Sequence, residues 1–343
     1  MIRFPRTALI ALAAAGSLTL GACSNSEQAA ETTTSAEAPA SSAAESTTAT
    51  EGGTVKVTDN YGEKEVPVNP QRVVALDNRT FELLDAWGVK PVAAARDLVP
   101  NTIPGIADDE SIVNIGNHKE PNLEAIVAAD PDVIVSGQRF RKYDEEIEKL
   151  VPNAVLVEFE PREDEPFDRE LIRQTLALGD IFGKQAEAEQ TVKEFTEAVE
   201  RARTAYNPDQ TVMAVNVSGG EIGYVAPGVG RMWGPLFDLI GFTPALQVEN
   251  ASNDHKGDDI SVEAIADANP FWIFALDRDA AIKSAKDSPE ALSVINDSAA
   301  LQNVTAVKEN HVYVAPKDTY TNESILTYTE ILNDLADKFE ATK

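Results

Sequence analysis

A chain of 343 residues, 43% of them hydrophobic, is long enough for one large folded body or two modest ones. Its formal charge of −28 excludes nucleic acid as a natural partner and means that any anionic ligand must be met by a local basic patch. With a single cysteine, no intrachain disulfide can form, so packing alone must hold the core.

Arg3 and Arg6 precede a short, Ala-rich apolar run from Thr7 to Thr19, closed by Leu20-Gly21-Ala22-Cys23. The run is too short to span a bilayer and has the layout of a cleaved secretory signal. The small residues before Cys23 resemble a bacterial lipobox, which predicts a signal peptide over 1–22 and lipidation of Cys23. The following Ser, Thr, Ala and Glu stretch has no aromatic residue and cannot offset its ordering entropy, so 23–53 reads as a lipidated cysteine and disordered tether. About thirty such residues span roughly 30 Å on average.

Val55 to Val68 has the pattern of a hairpin turning at Asn60-Tyr61-Gly62. Val73 to Leu76 reads as a buried strand, Phe81 to Trp87 as a helix stopped by Gly88, and Val89 to Ala95 as strand-like. A helix over Leu123–Ala129 and a strand over Val133–Val135 follow, so apolar runs alternate with helices as in parallel α/β units. From Asp168 to Tyr206 apolar residues recur at helical spacing, weakened at Gly179 and Gly183 and ended by Asn207-Pro208. Beyond it, strands over Val212–Val217, Trp272–Leu276 and Val312–Ala315 alternate with helices over Leu236–Ile240, Val262–Ala268 and Glu323–Phe339.

The two halves echo each other. EAIVAADPDVI at 124–134 aligns with EAIADANPFWI at 263–273, and LLDAWGVKPVA at 83–93 with LFDLIGFTPA at 236–245. The predicted fold class is therefore α/β, with two similar three-layer lobes, 54–168 and 207–343, joined by one long helix over 169–206. A helical joint of this kind implies a stiff hinge and modest closure.

Four fragments, VPVNPQRVVAL, EPNLEAIVAADPDVIVSGQ, APGVGRMWGPLFDLIGF and SVEAIADANPFWIFALDR, in this order and spacing, resemble the solute-binding proteins of the iron–siderophore and cobalamin class of ABC importers. The ferric-siderophore-binding lipoproteins are the nearer likeness, over about residues 54 to 341. The resemblance implies a receptor, not an enzyme, that captures a ferric siderophore, of catecholate type, for an ABC importer permease. It also implies a monomer held to the extracytoplasmic face of the cell membrane, with no permanent cofactor. Haem, cobalamin and ferric citrate are the alternatives on the same fold. A secreted enzyme is the remote one, since no G-x-S-x-G or H-E-x-x-H motif occurs.

A tris-catecholate iron complex is an anion with aromatic edges, and arginine suits it by keeping its charge, donating in pairs and stacking on rings. In the resembled family, arginines from both lobes line the cleft. Arg231 sits after Gly228-Val229-Gly230, where glycines let backbone and ligand approach closely, and Arg278 follows a strand at its carboxyl end. The family's Ser-Gly-Arg-Gln appears here as Ser136-Gly137-Gln138-Arg139, so either Arg139 serves by a shifted register or Gln138 replaces it. Tyr143 and Trp233 are candidate aromatic walls, Trp233 being equally consistent with core. His255 and Tyr320 match positions that complete iron coordination in some family members, phenolate oxygen suiting ferric iron. His118 and His311 read as structural. Glu124 and Glu263, equivalent in the internal repeat, match the family's permease-docking glutamates.

Overall fold

The computed structural model of the protein describes residues 53–343 apart from Lys283, Ser284 and Lys286. The expectations placed on 1–52, Cys23 among them, lie outside the described residues.

Two five-stranded sheets carry two α/β lobes. In the first, Val113–Asn114, Ala93–Ala94, Val73–Ala75, Val133–Ser136 and Val155–Glu158 lie in that spatial order, all parallel. Every residue of Val73–Ala75 and Val133–Ser136 is buried, as expected of strands covered on both faces by crossover helices. The predicted hairpin is present as Thr54–Asp59 paired antiparallel with Gly62–Pro67.

The second sheet runs Asp258–Asp259, Glu221–Val225, Val212–Ser218, Trp272–Asp277, Val312–Val314, with Glu221–Val225 antiparallel to both neighbours. Its central strands are buried on both sides, and side chains alternate between faces. Trp272, Phe274 and Leu276 join the apolar cluster that includes the first lobe's core and Phe339, whereas Ile273 and Ala275 join a separate one with Ile265 and Ile295.

The repeat seen in sequence is a repeat in structure. Helices Leu123–Ala129 and Val262–Ala268 each open on a side-chain cap, Asn122 accepting from the Ala125 N–H and Ser261 from the Ala264 N–H. Each closes on a left-handed residue, Asp130 at φ 45° and Asn269 at φ 43°, and feeds a central strand. The other echo also ends alike, helices Phe81–Ala86 and Gly234–Ile240 stopping before Gly88 and at Gly241. In the first lobe the chain then enters strand Ala93–Ala94. In the second it makes only a bridge, Pro244 to Val212, because Glu221–Val225 pairs with most of that edge.

The helical joint is interrupted, and its two parts pack against each other where Gly179 meets Ala188. It consists of helices Phe167–Phe182 and Gln185–Ala205, not one helix over 169–206. Gly183 is left-handed at φ 63°, and a β-carbon there would meet the Asn69 side chain at 2.4 Å, so this site both breaks the helix and requires glycine. The C-terminal helix Ile325–Ala341 returns against Gln185–Ala205, burying Tyr328, Ile331, Leu332, Leu335 and Phe339 at helical spacing. One apolar cluster therefore runs through both lobes and their joint.

Candidate functional site

A cleft of about 1020 Å³ is bounded by residues of both lobes, including Gln138, Arg139, Arg231, Arg278 and Tyr320. Its first-lobe wall includes Gln138, Arg139 and Phe140, the opening of the tight turn Gln138–Tyr143 that follows strand Val133–Ser136. Gln138 is left-handed at φ 48°, a conformation costly for a residue with a β-carbon, and its N–H donates to Glu160 Oε2 at 2.7 Å. Both Gln138 and Arg139 border the cleft, so the inverted order of these two residues leaves a cation on this wall.

Arg139 Nη1 lies 3.2 Å from His118 Nε2. A guanidinium only donates, so Nε2 accepts and the ring proton is assigned to Nδ1. That Nδ1 is buried and has no partner among the described residues. Burial, then the charges of Arg139, Lys142 and Lys119, push the His118 pKa down and keep the ring neutral. His118 thus belongs to the cleft wall, which corrects its reading as merely structural. His311 does pack as structure, stacked 4.5 Å from the Phe271 ring.

The second-lobe wall is built around Tyr320. Two guanidinium groups lie over its ring, that of Arg231 at 4.8 Å and that of Arg278 at 5.0 Å from the centroid. Arg278 follows strand Trp272–Asp277, as its sequence position predicted, and donates to Ser218 Oγ at 3.1 Å and Asp279 Oδ1 at 3.3 Å. The nearby carboxylates are engaged with backbone: Asp277 accepts from the Ala280 and Ala291 N–H groups at 3.0 and 2.8 Å. Gly230 is small for a reason other than ligand approach, since a β-carbon there would strike Val225 Cγ1 at 2.4 Å.

Behind this wall lies a charge network that crosses between lobes. Glu323 accepts from Arg231 and, at 3.0 Å, from Arg79 Nη2, while Arg79 Nη1 reaches Glu160 Oε1 at 2.8 Å. Burial alone would raise the Glu323 pKa, but Arg231 and Arg79 outweigh it and hold the carboxyl below its ordinary range. Burial likewise opposes the charge of Arg231, and Glu323 restores it. Asp77, beside the same network, is pushed up by burial and by the charge of Glu160. Arg79, Glu160 and Glu323 carried no sequence signal; their partners are distant in the chain.

The remaining candidates fall outside the cleft wall. Trp233 is core, 1% exposed and packed 5.4 Å from Phe274, because the helix it precedes turns its apolar face inward. Tyr143 stands one step back, its hydroxyl donating to the His118 carbonyl at 3.3 Å. His255 does not border the cleft with Tyr320. Its carbonyl accepts from Asn216 Nδ2 at 2.6 Å, and its half-exposed ring lies 3.7 Å from Asp254. Burial pushes its pKa down, Asp254 opposes this, and the charges of Arg278 and Arg139 reinforce it. Glu124 and Glu263 are both exposed in the first turn of their matching helices.

Two lobes, a helical joint and an inter-lobe cleft with cations from both sides define a receptor for a solute. Residues 73–319 match the periplasmic binding protein family, and the chain belongs to it; this is a family of binding proteins, not of enzymes. The ferric-anguibactin-binding protein FatB of Vibrio anguillarum is 27% identical over 292 residues, 84% of this chain and 88% of FatB. The petrobactin-binding protein YclQ of Bacillus subtilis is 25% identical over 292 residues, again 84% of this chain and 88% of the relative. The crystal structure of YclQ superposes with a TM-score of 0.71 at 20% identity, covering 84% of this chain and 99% of that one. No helix among the described residues is long and apolar enough to cross a membrane.

Proposed function

We propose that this protein is a lipid-anchored extracytoplasmic receptor that captures a ferric siderophore, of catecholate type, and delivers it to an ABC importer permease. The observation that carries the reading is the convergence of Arg139, Arg231 and Arg278 from opposite lobes on one cleft, two of them packed over the Tyr320 ring. An anionic, aromatic-edged chelate meets there charge, paired donors and planar guanidinium groups on which its rings stack. FatB, named for ferric anguibactin, and YclQ, named for petrobactin, support the same class of solute.

Tyr320 supplies a phenol at the cleft for ferric iron whose chelator leaves a coordination position open. His255 joins it only if the loop carrying it moves toward the cleft. Glu124 and Glu263 act as permease-docking residues, which their matched, exposed placement on the repeated helices supports. Cys23 supplies the anchor, and a leash holds the receptor at high effective concentration near its importer.

Titration of intrinsic fluorescence with a panel of solutes tests the reading. Saturable quenching by ferric catecholates, without response to haem, cobalamin or ferric citrate, is the expected result. Silence toward every iron chelate would overturn it.

A further inference from the structure

Beside the main cleft lies a second, more open pocket of about 570 Å³, bounded by Tyr61, His118, Gln138, Arg139, Arg141 and Lys142. It shares His118, Gln138 and Arg139 with the main cleft, so the two spaces meet along one wall. In a chain of formal charge −28, the six-residue turn Gln138–Tyr143 carries three cations and no acid. Arg139 contacts only the neutral His118 ring, and Lys142 lies over the Tyr143 ring at 4.7 Å; among the described residues neither is paired with a carboxylate. Arg141 is partly engaged, its Nε lying 3.7 Å from the buried Glu158.

Among the described residues only Glu158 comes within ion-pair distance of a cation of the turn, and that cation is Arg141. Asp144 is occupied by the Tyr61 and Ser136 hydroxyls, and burial raises its pKa above the ordinary value. Glu160 is held by Arg79 and by the Gln138 N–H. Arg139 and Lys142 therefore face solvent next to the cleft with no carboxylate in ion-pair contact among the described residues, and the half-exposed Tyr61 ring stands beside them. Unpaired surface cations against a strongly acidic background mark a place where an oxyanion gains more than it would elsewhere on the molecule.

We propose that this pocket is a second subsite, which takes a carboxylate carried on the outer edge of the chelate held in the main cleft. The proposal rests on the reading of that cleft as a ferric-chelate site. A bound chelate lies against Arg139, and its outer carboxylate reaches Lys142 and Arg141 on the far side of the same turn. The protein then discriminates between chelates of equal metal chemistry by what their edges carry.

The test compares two tris-chelates that bind iron alike, ferric tris-catecholate and the ferric complex of 3,4-dihydroxybenzoate, whose carboxylates point away from the metal. Affinities are measured for the full chain, for Lys142→Gln, and for Lys142→Gln combined with Arg141→Gln. A control with Lys193→Gln and Lys308→Gln, both remote, removes the same charge. The wild type is expected to prefer the carboxylated chelate by about tenfold. Lys142→Gln should reduce that preference and the double variant should abolish it, leaving the catecholate affinity and the control's preference unchanged. If added acetate tightens the plain catecholate complex in the wild type and not in the double variant, the subsite stands but takes a free carboxylate. Equal wild-type affinities, or a preference that survives the double substitution, would overturn the proposal alone. Failure to bind either complex would overturn it together with the reading of the main cleft. Lys142 is exposed, so its substitution does not threaten folding.

Discussion

Arg79 of the first lobe donates to Glu323 of the second, Nη2 to Oε2 at 3.0 Å, across 244 residues of sequence. Glu323 is also the acceptor for Arg231, a cation of the cleft wall. The inter-lobe joint and the ligand site therefore share one buried carboxylate. The segment around it adds further crossings, Asn78 Nδ2 donating to the Thr321 carbonyl at 3.0 Å and Thr327 Oγ1 to Glu82 at 3.1 Å. Together with the apolar cluster that runs through both lobes, these contacts make wide opening of the cleft costly.

Replacing Glu323 by Gln takes from Arg231 its paired carboxylate and leaves Arg79 with Glu160 alone. Breaking a buried pair this way costs about 3–5 kcal/mol, so the melting temperature should fall by roughly 6–15 °C. Thermal unfolding followed by circular dichroism checks this. An unchanged midpoint would mean that solvent already compensates the two arginines.

Arg278 tests the cleft without disturbing that network. Its partners are Ser218 and Asp279, both of the second lobe. Arg278→Gln should weaken a ferric catecholate by roughly tenfold to a hundredfold, as for the loss of one or two charged hydrogen bonds, with little change in melting temperature. Calorimetric titration distinguishes this from no effect, which would remove Arg278 from the site.

Tyr320→Phe separates stacking from coordination. The Phe ring can keep the contacts with Arg231 and Arg278, so affinity for a hexadentate chelate should change little. With a tetradentate chelate, any visible phenolate-to-iron charge-transfer band should disappear. A band that persists unchanged takes Tyr320 off the metal.

Glu170 governs acid stability at the start of the joint. Burial would raise its pKa, but Arg162 and Arg173 hold it at about 2, with Arg162 Nη2 at 2.6 Å and Arg173 Nη2 at 2.7 Å. A carboxyl lowered in the folded state contributes stability above its unfolded pKa, and that stability is lost as pH falls toward 2. Glu170→Gln should thus cost about 3 kcal/mol at neutral pH and progressively less between pH 5 and 2. Melting curves of both proteins across that range should converge; parallel curves would contradict the assignment.

Glu124 and Glu263 make a prediction about transport alone. Both are exposed and neither borders the cleft. Changing both to Ala should leave ligand affinity intact and stop uptake in cells. Normal uptake would remove them from docking.

What could be read in sequence followed the range of the interactions involved. The matched helices at 123–129 and 262–268 were legible because cap, apolar spacing and left-handed stop lie within one short segment. Arg278 was legible because a position after a strand's carboxyl end is also local. Trp233 was not, because whether a ring lines a cleft or fills a core depends on Phe274 and Tyr313, which reach it only in the fold. Gly183 was legible as a weak point of the joint, but not that it takes the left-handed conformation that ends the first helix there. His118 looked structural because its partner, Arg139, belongs to a turn whose path is set by the left-handed Gln138.

The most direct test of the central claim is a crystal structure of the protein with a ferric tris-catecholate, using anomalous scattering to locate the iron. The expected result is a single iron peak between the lobes, within the space bounded by Arg139, Arg231, Arg278 and Tyr320. Iron found elsewhere on the molecule, with that cleft free of chelate, would contradict the account.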